Sequence, residues 1–266
     1  LQFGSIEETD GENYKANETL ATLQDFFNAP DDTSGTDYMH PFYGAKGKLG
    51  TTTWFNNKFL CLKEAGTQVG GANGGLRTVI LPADSNGDKS GCKNFYAYFH
   101  ILFYAGLMGQ TGEMCINFLT EDNKLICGVN WYKTDMSGNT GRYELVCYNP
   151  NKKDTDHQAG KVLKVYDYTT SHLHTQNPWY WDWGHCDIRK EGSKLTFFYW
   201  GGYPSFTVPE IEDMKCTKIQ IAIKQWGTRS GSRYLTYNGI NNFWFQKLRV
   251  DKWRDVPNKF ARTSRV

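Results

Sequence analysis

Most of the short signatures of catalysis are missing from this chain of 266 residues. It has no Gly-x-Ser-x-Gly, no Gly-rich phosphate loop and no His-Glu-x-x-His. That removes the nucleophile elbow, the nucleotide cradle and the metalloprotease helix. Histidine is scarce, at six residues. His172-x-His174 and His185-Cys-Asp187 have metal-ligand chemistry, but no second Cys or His pair stands at zinc spacing. No apolar run reaches the length of a membrane-spanning helix, and no stretch has the pattern of a signal peptide. The formal net charge is only +2. The densest basic stretch, residues 247–254, is broken by apolar residues and an Asp, so no electrostatic footprint for nucleic acid exists. Neither nucleic acid nor a membrane is expected as a partner.

Paired cysteines are also lacking. Seven are present (Cys61, Cys92, Cys115, Cys127, Cys147, Cys186 and Cys216), an odd number with no Cys-x-x-Cys. Cys115, Cys127, Cys147 and Cys216 lie inside apolar, strand-like runs. The pattern predicts free buried thiols in a chain made in a reducing cytoplasm, not a disulfide framework. The chain begins at Leu1, as expected of a fragment of something longer.

Aromatic residues are what the chain has in quantity: nine Trp, sixteen Tyr and sixteen Phe, or 15% of all residues. Such side chains fill a core with few residues, and the polar tips of Tyr and Trp suit a partly exposed face. Residues 17–27 carry apolar side chains at 20, 23, 26 and 27, which is helical spacing, with Asn17 or Thr19 as the cap. From Lys48 onward the pattern is one of short strands and turns. Residues 66–75 are glycine-rich and read as a loop; residues 76–81 read as a strand. About a dozen strands predict an all-β chain, an antiparallel β-sandwich of lectin-like jelly-roll type with one short helix near the N-terminus. The expected organisation is an N-terminal extension with the helix over 1–44, packed on or leading into a sandwich over 45–260, and a tail over 261–266.

Side chains alternate across a strand. Phe95, Ala97, Phe99, Ile101 and Phe103 share one face, as do Cys127, Val129 and Trp131, and Ile219, Ile221 and Ile223. These are the expected core faces. The opposite faces carry Tyr96, Tyr98, His100, Asn117, Asn130, Tyr132, Gln220, Lys224 and Trp226. Aromatics interleaved with amides match a sugar, whose ring offers a C–H face to stack and hydroxyls to pair. Cross-strand pairing that stiffens the sheet explains the same residues without a ligand. The densest cluster is Asn177-Pro-Trp-Tyr-Trp-Asp-Trp-Gly-His185, read as a loop or irregular edge from Pro178 and Gly184. Its rings line a ligand groove, an interface or a core plug. The candidate saccharide contacts are therefore Trp179, Tyr180, Trp181, Asp182, Trp183, His185, Tyr98, His100, Asn130, Tyr132 and Trp226.

Asp84, Asn86 and Asp88 stand like the start of a calcium loop, but position 95 is Phe where the distal Glu belongs, and an Asn-Gly turn explains them. No cofactor is expected. A glycosidase needs two facing carboxylates. Glu144 and Asp187 are the strand-borne candidates, and a non-catalytic binding role is the leading expectation.

Several segments resemble the distal tail proteins of siphophages and prophages of Gram-positive bacteria: Ala45-Lys-Gly-Lys-Leu-Gly50, Gly106-Leu-Met-Gly-Gln-Thr-Gly112, Thr134-Asp-Met-Ser-Gly-Asn-Thr140, Trp200-Gly-Gly-Tyr-Pro-Ser-Phe206, 218–226 and 250–260. The chain looks like the carbohydrate-binding insertion of an evolved member. The resemblance implies a virion protein of the tail tip, made in the host cytoplasm. It implies adhesion to host cell-wall polysaccharide or oligosaccharide, with other tail-tip proteins as neighbours. It transfers no ligand residue. The alternatives are a structural tail-tip component using its aromatic face for protein contact, and a cell-wall glycosidase.

Overall fold

The structure, a computed structural model, describes residues 18–31, 49–54, 57–62, 72–83, 87, 91–104, 110–133, 140–151, 160–169, 181–198, 203–227 and 239–248. At several strand ends, among them 102–104, 132–133, 181–185 and 224–227, only the backbone is described.

Two antiparallel sheets face each other. The first contains β1 (Glu18–Thr22), β2 (Leu49–Trp54), β3 (Asn57–Leu62), β5 (Phe95–Tyr104), β10 (Trp181–Glu191), β11 (Lys194–Phe198), β12 (Ser205–Thr207) and β14 (Gly239–Lys247). The second contains β4 (Ala72–Ile80), β6 (Gln110–Leu119), β7 (Leu125–Lys133), β8 (Thr140–Cys147), β9 (Lys161–Thr169) and β13 (Lys218–Gly227). The eight-stranded order is β12-β11-β10-β5-β14-β3-β2, with β1 added on β14; the six-stranded order is β4-β13-β6-β7-β8-β9. The antiparallel sandwich is the architecture that the strand pattern predicts.

The core lies where alternation places it. Phe95, Ala97, Phe99, Ile101, Cys127, Val129, Trp131, Ile219, Ile221 and Ile223 are all buried; the side chain of Phe103 lies outside the described residues. Rings from both sheets interlock. Phe99 meets Trp131 edge-on at 5.7 Å and Phe95 stacks on Phe118 at 5.1 Å. All seven cysteines are buried and none is in a disulfide. Burial pushes the thiols of Cys127 and Cys216 well up, which suppresses the reactive thiolate. Among the described residues, no helix is long and apolar enough to cross a membrane.

Three local readings of the sequence are corrected. Residues 18–22 of the expected helix form β1 instead, paired with Trp244–Lys247 of β14. The helix α1 starts only at Leu23 and runs to Asn28. Its cap is Thr22, whose N–H and hydroxyl both donate to Asp25, at 2.7 and 3.0 Å. An unpaired edge on β14 outweighs a short helix's propensity, because ladder pairing satisfies backbone groups that one extra helical turn would leave open. Next, Ala72–Gly75 of the glycine-rich stretch belong to β4. A Cβ on Gly75 would lie 2.9 Å from the backbone nitrogen of Leu49, so glycine is needed for the two chains to pass. Finally, residues 181–184, read as a loop, open β10 and pair residue by residue with β5. The β preference of their Trp residues, with a neighbour along the whole segment, overrides the punctuation read from Gly184.

Two charged side chains occupy core-side positions. Lys190 is fully buried, and its Nζ donates to the carbonyls of Lys93 at 2.7 Å and Glu212 at 3.4 Å. Arg77, opposite Ile221, donates to the carbonyls of Phe26, Phe27 and Leu49 at 2.9, 3.1 and 2.7 Å. It also pairs with Asp31 at 3.1 Å. Arg77 thereby satisfies carbonyls at the end of α1 and ties the helix to both sheets. Replacing Arg77 with Leu strands these carbonyls and Asp31. We expect a loss of about 3 kcal/mol, read as a lower urea midpoint with an unchanged m-value.

Candidate functional site

With Phe99 and Ile101 inward, Tyr96, Tyr98 and His100 of β5 turn outward and are half-buried. The same logic applies on both neighbours. Cys186 and Ile188 face the core, so Asp187 and Arg189 face out; Phe243 and Phe245 face the core, so Trp244 faces out. Register sets Tyr98 between Asp187 and Trp244, and His100 between His185 and Asn242. The rings of Tyr98 and Trp244 stack at 4.2 Å with 19° between planes. Beyond Asp187, Phe198 of β11 lies 4.6 Å from Tyr203, which is 44% exposed. This is a solvent-reached face of aromatic rings with polar groups between them.

Asp187 is its unusual group. One carboxylate oxygen, Oδ1, is buried with no hydrogen-bond partner. Desolvation pushes the carboxyl up from 3.8 to about 6, and a hydrogen bond from the Tyr96 hydroxyl partly opposes the rise. Next to it, Arg189 is paired with Glu191 at 2.7 Å, which leaves the guanidinium charge locally balanced.

The candidate residues divide between two surfaces. Tyr98 and His100 stand on β5; Trp181, Asp182, Trp183 and His185 stand on the adjacent β10, opposite Tyr104, Phe103, Leu102 and His100. Trp179 and Tyr180 lie outside the described residues, as do the calcium candidates Asp84, Asn86 and Asp88, and His172 and His174. Asn130, Tyr132 and Trp226 are on the six-stranded sheet. The candidates therefore fall on two sheets, whose outward faces look away from each other across the core. Asn130 is buried, to 2% exposure. Trp244, stacked on Tyr98, and Asp187, paired with it across β5 and β10, are residues of this face that the sequence reading left out of the ligand set. Alternation within Phe243-Trp-Phe would have found Trp244.

The same division separates Glu144 from Asp187. Glu144 lies between core-facing Tyr143 and Leu145 on the six-stranded sheet, so it projects from the other side of the sandwich. The two cannot flank one glycosidic bond. Among the described residues, no group of three or more His, Cys, Asp or Glu side chains is placed to hold a metal.

The state of Asp187 has a measurable consequence. A carboxyl raised in the folded state favours folding below its unfolded pKa, and that contribution is lost as pH rises through the folded value. Stability should therefore fall between about pH 4 and 6 from this group. Asp187→Asn should flatten that segment of the profile and stabilise the protein at pH 7 by about 2 kcal/mol, measured by urea unfolding at both pH values.

No protein-family model matches the chain, and no curated protein does. Solved structures do. The chain is similar to the CBM2 module of the evolved Dit of Lactobacillus casei BL23 phage J-1, at 15% identity and a TM-score of 0.64, covering 89% of this chain and 98% of that one. It is also similar to a GlcNAcα1-4Gal-releasing endo-β-galactosidase from Clostridium perfringens (10% identity, TM-score 0.46, 91% and 63% covered). A legume lectin-like domain from Entamoeba histolytica follows (13% identity, TM-score 0.36, 77% and 89% covered). At these identities the likeness is one of fold, and it rests on the first: the chain shares the β-sandwich of that phage module.

Proposed function

We propose that this chain is a non-catalytic saccharide-binding module of a phage tail tip, and that it binds through the outer face of the eight-stranded sheet. The observation that carries the reading is the Tyr98–Trp244 ring pair, set on a solvent-reached face beside the exposed Asn242. Rings supply apolar contact for the C–H face of a pyranose, and the exposed Asn242 amide supplies donors and an acceptor for its hydroxyls. The shared fold with the phage J-1 module supports the tail-tip setting, as do the segments that resemble distal tail proteins. The opposed placement of Glu144 and Asp187, the two strand-borne carboxyl candidates, supports binding without chemistry, since glycosidases hold their carboxyl groups within about 10 Å.

The saccharide is host cell-wall polysaccharide or oligosaccharide, and other tail-tip proteins are the neighbours. A shallow sheet face binds a sugar weakly, and several copies on one tail convert weak contacts into firm adhesion. A soluble multimer of the protein should co-sediment with host cell walls and release no reducing sugar from them. The Tyr98→Ala/Trp244→Ala variant should lose at least tenfold in affinity while still unfolding cooperatively in urea, its unfolding free energy lower by about 2 kcal/mol. A wild-type multimer that leaves the walls unbound would rule the reading out. Binding to purified tail-tip proteins alone would assign this face to protein contact.

A further inference from the structure

Two rows of side chains cross the outer face of the eight-stranded sheet, at right angles to its strands. Register places Phe198, Asp187, Tyr98, Trp244 and Thr22 in one row, on β11, β10, β5, β14 and β1. The row beside it holds Ser205, Thr196, Arg189, Tyr96, Gln246 and Thr19, one from each of six neighbouring strands. No residue in either row is fully buried, and Ser205, Thr19 and Thr22 at the row ends are exposed. Adjacent strands lie about 4.8 Å apart, so the five intervals from β12 to β1 span about 24 Å.

The rings of the first row form two separate platforms. Tyr98 and Trp244 make one, with centroids 4.2 Å apart; Phe198 and the 44% exposed Tyr203 make the other, at 4.6 Å. Phe198 stands on β11 and Tyr98 on β5, with β10 between them, so the platforms are roughly 10 Å apart. A pyranose ring is about as wide as one strand interval, so a single sugar reaches only one platform. A ligand that uses both has at least three linked rings. The second row supplies the polar side of such a track. Its hydrogen bonds run sideways along the row and are exposed: the Thr196 and Ser205 hydroxyls lie 2.9 Å apart, and Gln246 Nε2 donates to Thr19 Oγ1 at 3.3 Å. Hydroxyl and amide groups in such pairs retain further donor and acceptor capacity for a chain lying beside them.

We infer that this face takes the interior of a linear glycan, about four linked rings laid across the strands from β11 toward β1, and not a chain end or a single sugar. The inference rests on the saccharide reading of the same face and adds the ligand's length and direction. The test is titration of the monomeric protein with fragments of purified host cell-wall polysaccharide, fractionated by ring number and followed by the indole NMR signal of Trp244. Affinity should rise at least tenfold from one ring to about four and then level off. In Tyr203→Ala, a change at an exposed side chain, the gain with length should shrink to threefold or less. Intact polysaccharide, poor in chain ends, should compete as well by mass as the longer fragments. Equal affinity at every length would overturn the inference and leave the proposed function standing. So would a length dependence that survives Tyr203→Ala, competition that scales with the number of chain ends, or a multimer that binds walls while no fragment binds. A protein that binds neither walls nor fragments would overturn both.

Discussion

The two-residue period of β5 is the constraint on which the rest of this molecule depends. β5 is bonded to β10 on one edge and to β14 on the other, so its phase is shared across three strands. Phe95, Ala97, Phe99 and Ile101 lock that phase by filling the space between the sheets. Tyr96, Tyr98 and His100 have only the outer side left to them. A slip of one residue would place hydroxyl and imidazole groups in the core and phenyl rings in water, exchanging packing for function along the whole strand. The interlocked rings of Phe95, Phe99, Phe118 and Trp131 oppose such a slip from both sheets at once.

A filled core has a further effect: it isolates the two outer faces. Packed sheets stand about 10 Å apart, and outward side chains on opposite sheets diverge from there. Chemistry that needs two groups to converge must therefore be found within one sheet. That separates Glu144 from Asp187 and divides the amides of β6, β7 and β13 from the rings of β5 and β14. The faces also differ in character. One is reached by solvent and lined by rings around a single reluctant carboxyl. The other carries Asn117 and Asn130, whose side-chain oxygens are buried without donors. The charges of Arg77 and Lys190 sit on the core side of their strands and are spent on backbone carbonyls, which keeps both outer faces free of them.

Much of this was legible in the residues. The alternating runs at 95–101, 127–131 and 219–223 each predict a strand and the face it buries, because period and hydrophobicity agree there. Legibility failed where punctuation and pairing disagreed. Gly75 and Gly184 look like breaks in a sequence, yet each lies in a strand where a neighbouring chain supplies the missing order. Residues 18–22 look helical because their apolar spacing suits a helix, and only the open edge of β14 makes them a strand. The ligand set is divided between the two sheets for a related reason. Asn130 and Tyr98 look alike on paper as outward polar residues of amphipathic strands, since alternation says which face of its own sheet a residue occupies but not which sheet.

The sequence by itself determined the all-β class, the inward faces and the absence of the common catalytic motifs. Those properties are local: a strand's period and a residue's chemistry are complete within a few positions of the chain. Only the tertiary structure decided which outward residues share a surface, that Trp244 stacks on Tyr98, that Asp187 is half-hidden and lifted toward neutrality, and that Asn117 and Asn130 are buried without donors. Those depend on strand order, and strand order is set by long-range pairing between segments more than a hundred residues apart, as between β5 and β14. Local pattern contains no record of that choice.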